Sequence, residues 1–309
     1  MKTRHILSTA IATLGLSFLT TAGAADITDQ DITEGYRKHA AMAQFHRWYQ
    51  VYERPDGGLN NALDILARDV SVKSGLGEAV GLGQYAARVM QLPDTWRNAH
   101  SLKDADIAVA GDGTMRLTAD ITYLNEGMNP DGTVREADLS YTMTLVPTDT
   151  VLPRFRTIEI AQNSDGEAGA FVDAYAENRM RSLVHYWLAL IEDPARDPEP
   201  VREILAEDFS LNFTSGALTD FEGFRAWLAG PGSQVSASTH GIGNFSARET
   251  GNGTYALTVD FDWAGVTPDG TNLVAKTRHN WTATNDPTER FARIRTMDVE
   301  VLEPFRPRE

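Results

Sequence analysis

The chain contains no cysteine. Disulfides, thiol nucleophiles and thiolate metal sites are excluded, and so is a lipid anchor, which needs a cysteine to carry it. Positive charge is also scarce. Lys and Arg number 28 against 43 Asp and Glu, a formal net charge of −15, and no basic cluster offsets it anywhere. Such a surface repels nucleic acid and anionic lipid, so no nucleic-acid partner is expected. No H-x-x-x-H pair, no glycine-rich phosphate loop after a strand and no G-x-S-x-G elbow occurs. No metal or other cofactor is expected on that pattern, and serine-hydrolase chemistry is not supported.

Long apolar runs are missing except at the start. Lys2 and Arg4 precede an apolar stretch, Ile6 to Leu19, that ends in Thr-Ala-Gly-Ala-Ala. This is the pattern of a cleaved export signal over residues 1–24, and it is too short and too rich in Ser and Thr for a membrane span. A periplasmic or secreted protein is expected. Each remaining half is large enough to be held by its core without disulfides.

What the chain does contain is a duplication. ILARDVSV at 65–72 returns as ILAEDFSL at 204–211, an offset of 139 residues. At the same offset His46, Trp48 and Glu53 meet His185, Trp187 and Glu192, and RFRTIEI (154–160) meets RIRTMDV (293–299). PDGT recurs at 130–133 and 268–271. Two long copies are tandem domains rather than a solenoid. The expected organisation is a first domain over 25–162, a polar, glycine-rich linker over 163–170 and a second domain over 171–309.

Apolar residues at helical spacing predict helices over 28–53 and about 171–192, with Trp48 and Trp187 on their inner faces. Short helices follow, at 59–66 and 199–205, and a further helix carries Tyr85 in one copy and Phe224 in the other. The period then changes to two. Met115, Leu117, Ala119, Ile121 and Tyr123 alternate with Arg116, Thr118, Asp120 and Thr122, and Tyr255, Leu257, Val259, Phe261 and Trp263 with Ala256, Thr258, Asp260 and Asp262. A Pro-Asp-Gly turn and two more strands close each unit. The fold class is therefore α+β, with helices on one side of a curved, mostly antiparallel sheet.

That element order, the Leu-Ala-x-Asp run after two helices (Leu66 to Asp69, Leu205 to Asp208) and the strand–PDG–strand hairpin resemble the NTF2-like superfamily. SnoaL-like and ketosteroid-isomerase-like domains are the nearest in pattern. The resemblance covers 40–162 and 171–304. It implies two tandem cones, each with an apolar pocket between the first helix and the sheet. The ketosteroid isomerase residues themselves are not matched: Trp48 and Trp187 stand where its tyrosine would fall, and Ser74 and Phe213 where its aspartate would.

Histidines are the residues most suited to chemistry in such pockets. His46 pairs with His185 on the first helices, and His100 with His240 just before the sheets. His279 stands where the first copy has Tyr141. Asp120 and Asp260 match between copies on the strand face opposite the apolar row. These eight residues are the candidate catalytic set. Glu53 and Glu192, two turns from His46 and His185, read as solvated helix ends, and Asp69 and Asp208 as turn or capping residues. With three imidazoles, the second copy is expected to be the more active.

The function expected is a cofactor-independent acid/base enzyme: an isomerase, cyclase, dehydratase or retro-aldol-type lyase acting on a hydrophobic or aromatic small molecule. The alternative is an exported small-molecule binding or scaffold module. The two domains are expected to pack as a pseudo-dimer.

Overall fold

The computed structural model describes residues 28–308, so the expected export signal lies outside the described residues. The first long helix, α1 (Asp29–Trp48), starts at a capping box: Thr28 Oγ1 accepts from Asp31 N, and Asp31 Oδ2 accepts from Thr28 N. These bonds satisfy two of the free donors at the helix start. The helix breaks at Tyr49 and resumes as α2 (Gln50–Glu53). After α3 (Asn60–Leu63) come β1 (Leu66–Ser74), β2 (Gly77–Val80), α4 (Leu82–Val89), β3 (Arg97–Val109), β4 (Met115–Glu126), β5 (Val134–Val146), β6 (Arg154–Gln162) and β7 (Gly166–Ala168).

The second half repeats this plan. It runs α5 (Tyr175–Glu192), a 3-10 turn (Glu199–Ile204), β8 (Leu205–Phe213), β9 (Gly216–Leu218), α6 (Phe221–Ala229), β10 (Ala237–Gly251), β11 (Thr254–Val266), β12 (Asn272–Thr284) and β13 (Arg293–Pro307). The strand orders are β2-β1-β6-β5-β4-β3 and β10-β11-β12-β13-β8-β9. Both sheets are antiparallel except where β1 joins β6 and β8 joins β13. The recurring PDG turns have a physical cause: Gly132 and Gly270 sit at φ 81 and 86, where a side chain is strained.

Two expectations change. His100 and His240 do not precede the sheets; they lie within the first edge strands, β3 and β10. Those strands lack clean alternation because their inward row carries polar residues, Asn98 and His100 in one, Ser238 and His240 in the other. The spacer at 163–170 also contains β7, which pairs with β5, so its middle is fastened to the first sheet.

Each sheet closes on its own apolar cluster, and α1 and α5 lie against each other between them. Small residues of α1, Ala40 and Ala43, are fully buried in the second half's cluster. Ser182 of α5 donates from Oγ to the Ala43 carbonyl at 2.9 Å. Among the described residues no helix is long and apolar enough to cross a membrane.

Trp48 and Trp187 are each 1% exposed, on the inner helix faces where the spacing puts them. Trp187 sits edge-on to Trp281 at 6.1 Å and against Phe224 at 5.8 Å. Trp187→Ala is expected to cost about 3–5 kcal/mol of stability, the range for an aromatic removed from a packed core. A loss below about 1 kcal/mol in urea unfolding would mean that the site collapses around the gap.

Candidate functional site

The last turns of both helix systems carry a buried carboxylate. Glu53, at the end of α2, accepts from the His100 backbone N–H at 2.9 Å and lies 3.1 Å from His100 Nδ1. Asn178 of α5 donates from Nδ2 to both Glu53 oxygens, at 3.0 and 3.2 Å, and to the His100 carbonyl at 2.9 Å. Glu192, at the end of α5, lies 2.7 Å from His240 Nδ1 and 3.6 Å from Nε2 of His39 on α1. His39 and Asn178 are partners at the 139-residue offset. Each carboxylate is therefore held by a histidine of its own half and reached by a helix residue of the other half.

His46 and His185 complete the strip. His46 Nδ1 bonds Asn178 Oδ1 at 2.9 Å, and His185 Nδ1 bonds His39 Nδ1 at 2.9 Å. Their own rings stack at 5.7 Å, 18° from parallel. The result is one buried polar row between α1 and α5, with this stack at its centre and a Glu–His pair at each end. A Cβ on Gly35 would overlap Thr239 Oγ1 and come within 3.0 Å of Glu192 Oε2, so α1 meets β10 closely only because that residue is glycine.

Glu53 and Glu192 correct the solvated-end reading, since both side chains are fully buried. The error has a clear origin. Helix spacing shows that neither reaches His46 or His185 within its own helix, but it is blind to a neighbouring strand or a second helix. Burial raises both carboxyls, Glu192 to about 7 with His39 opposing, and Glu53 with His100 and Asn178 opposing. Burial also holds His46 and His240 at about 3, and keeps His39 and His185 below their ordinary range.

Only some of the candidates share a cavity. In the first cone a cavity of about 330 Å³ is lined by His100 and Tyr141 together with Trp48, Tyr52, Tyr85 and Tyr123. His100 stacks on Tyr49 at 4.4 Å, which fixes its ring plane. Three N–H contacts already go to Glu53, so it faces His100 Nδ1 as an acceptor, and Nε2 is the ring nitrogen left without a partner among the described residues. Tyr141 is held protonated by burial and is flanked edge-on by Phe45 and Tyr49. Tyr123 Oη donates to Asn98 Oδ1 at 2.7 Å, and the Tyr52 and Tyr85 hydroxyls bond each other at 3.0 Å.

The second cone is packed differently. At the repeat offset Phe213 replaces Ser74 and Trp227 replaces Arg88, both of which border the first cavity. The two new rings stack face to face at 4.5 Å. Trp281 replaces Met143, and His279 is wedged edge-on against Phe261 at 4.7 Å. Burial holds His279 at about 3, and its Nδ1 has no partner among the described residues. The imidazoles that favoured the second copy are thus core and interface groups.

Asp120 and Asp260 stay outside the cones. Asp120 accepts from Ser140 Oγ at 2.6 Å, and Asp260 takes a two-pronged Arg278 at 2.7 and 3.0 Å plus Asn244 at 2.9 Å. Arg278, then Asn244, holds Asp260 below the usual carboxylate range. These are sheet-surface ion and hydrogen-bond partners, as the polar strand face dictates.

Stability should track these histidines. Five of them, His39, His46, His185, His240 and His279, are lowered in the folded state. Their contribution is complete above the unfolded value of 6.5 and is lost as pH falls through their lowered folded values. The two raised carboxyls act oppositely but are fewer. Urea midpoints are expected to fall steeply from pH 7 to pH 5; midpoints that hold or rise over that range would show that these rings take up protons within the fold.

No family model matches the chain, and none of the curated proteins does. Among solved structures it is similar to a hexachlorocyclohexane dehydrochlorinase, LinA-type3, from Novosphingobium barchaimii LL02. That match has 14% identity over 46% of this chain and 96% of the other, with a TM-score of 0.40. It is also similar to an NTF2-like superfamily protein from Salmonella enterica, at 14% identity over 41% and 90%, TM-score 0.37. A cystatin-like fold protein from Caulobacter vibrioides matches at 18% identity over 42% and 91%, TM-score 0.35. Each half of this chain is an α+β unit, helix first and then a mixed sheet in the strand order given above, and the two stand in tandem.

Proposed function

We propose that the first cone is a cofactor-independent acid/base site acting on a hydrophobic or aromatic small molecule. The observation that carries this reading is His100, held through Nδ1 by buried Glu53 and bordering an aromatic-walled cavity, with Nε2 unpartnered among the described residues. A neutral imidazole so held takes a proton from a carbon or hydroxyl acid, and the carboxylate stabilises the imidazolium that forms. Tyr141, kept as a phenol, donates a hydrogen bond to the oxygen on which charge develops. The imidazolium then returns its proton elsewhere on the same molecule, or to a departing group. Isomerisation, cyclisation, dehydration and retro-aldol cleavage all fit this step.

In this reading the second cone serves as a partner. The two halves pack as a pseudo-dimer, and Asn178 of α5 orients Glu53 of the first site. The pattern of residues 1–24 supports export, to the periplasm or beyond. The alternative, a module that binds without turnover, rests on the same cavity.

A simple carbon acid separates the two. 2-Tetralone in D₂O loses its α-protons at a rate that NMR follows directly. The wild-type protein should accelerate this exchange, and His100→Ala should lose at least about 100-fold of the acceleration, the usual size of a general-base contribution. Glu53→Gln should lose less. Exchange by His100→Ala at the wild-type rate would overturn the assignment, and no acceleration with this or other aryl ketones would favour binding alone.

A further inference from the structure

The cavity of the first cone has an unusual charge for this chain. Acidic residues outnumber basic ones 43 to 28, yet its wall includes Arg88 and Arg135, one histidine and no carboxylate. The wider cleft between the halves, about 780 Å³, shows the opposite balance: Asp112, Asp149, Asp193, Asp197, Glu199 and Glu203 against Arg37 and Arg290. A carboxylate-free wall beside two guanidinium groups favours an anionic ligand and disfavours a cationic one.

The two arginines are not equivalent. Arg135 is fixed by Asp165 at 2.7 Å and Gln162 at 2.9 Å, so much of its charge is already balanced. Arg88, on α4, donates Nη1 to the Gly77 carbonyl at 3.1 Å and has no carboxylate within ion-pair distance among the described residues. Its remaining N–H groups form a fork suited to two carboxylate oxygens. The duplication supplies an internal comparison. In the second cone, Trp227 and Leu273 occupy the positions of Arg88 and Arg135, and the Trp227 ring is stacked on Phe213. Both cations are absent from the cone whose corresponding wall is packed with aromatic rings.

We infer that the first cone takes a carboxylic acid on a compact aromatic or apolar body, its carboxylate on Arg88 and its ring among Trp48, Tyr85 and Tyr123. This deepens the proposed function, since it names the substrate class of the same cavity. About 330 Å³ holds a ring system with a short acidic arm, within the range of small-molecule sites. Arg88 is then a specificity residue, and the ketone or hydroxyl chemistry at His100 proceeds on an acid anchored at the mouth.

The test compares phenylacetate with its neutral isostere phenylacetamide, by calorimetry and by fluorescence of the cavity tryptophans at low salt. Phenylacetate should bind the wild-type protein about tenfold tighter or more, a difference of about 1.4 kcal/mol. Arg88→Gln should bring the two ligands level, and Arg88→Lys should restore part of the preference. His100→Ala should keep it, because the anchor does not use the imidazole. Equal affinities in the wild-type protein, or no binding of either ligand at millimolar concentration, would overturn the inference, whatever the folding of the variants. A carboxylate preference without tetralone exchange would leave an acid-binding site and defeat only the catalytic reading. Exchange without the preference would do the reverse.

Discussion

Glu53 and Glu192 end their helix systems inside the protein, and a carboxylate taken out of water is costly unless donors replace the solvent it loses. Here those donors come from both halves. His100 and Asn178 serve Glu53; His240 and His39 face Glu192. Neither carboxylate is fully supplied by its own cone. The packing of α1 on α5, the close approach at Gly35 and the central His46–His185 stack all follow from keeping this row dry and partnered.

The two ends of the row have diverged within one frame. Asn178 offers an amide that donates to both Glu53 oxygens, whereas His39 offers a ring nitrogen at 3.6 Å and Glu192 Oε2 has no hydrogen-bond partner among the described residues. The satisfied end borders a cavity; the other borders a core filled by Phe213, Trp227 and Trp281. The second half supplies Asn178 to the Glu53 of the first, and its own wall is packed by the Phe213–Trp227 stack.

Much of this is legible in the sequence, because the repeat offset compares the chain with itself. The α+β plan rests on local periodicity, and the offset pairs the tryptophans and the histidines. It also pairs Glu53 with Glu192, but their burial depends on β3, β10 and the facing helix, which no helical wheel contains. His39 has no histidine counterpart at the offset, where Asn178 stands, matched in hydrogen-bonding role and not in residue type. β3 and β10 escaped because the pleat turns His100 and His240 inward, where strand patterns expect apolar residues. The substitutions Ser74 to Phe213 and Arg88 to Trp227 were visible at the offset, yet their meaning required knowing that these positions border a cavity.

The dependence of one cone on the other is measured most directly by a double-mutant cycle between Glu53 and Asn178, with Glu53→Ala, Asn178→Ala and the pair compared by urea unfolding. These residues lie in different halves, 125 positions apart, and share two hydrogen bonds in the dry row. A coupling energy of about 0.5–3 kcal/mol is expected, as for residues in one buried network. Losses that simply add, to within about 0.3–0.5 kcal/mol, would contradict the claim that the second half holds the carboxylate of the first.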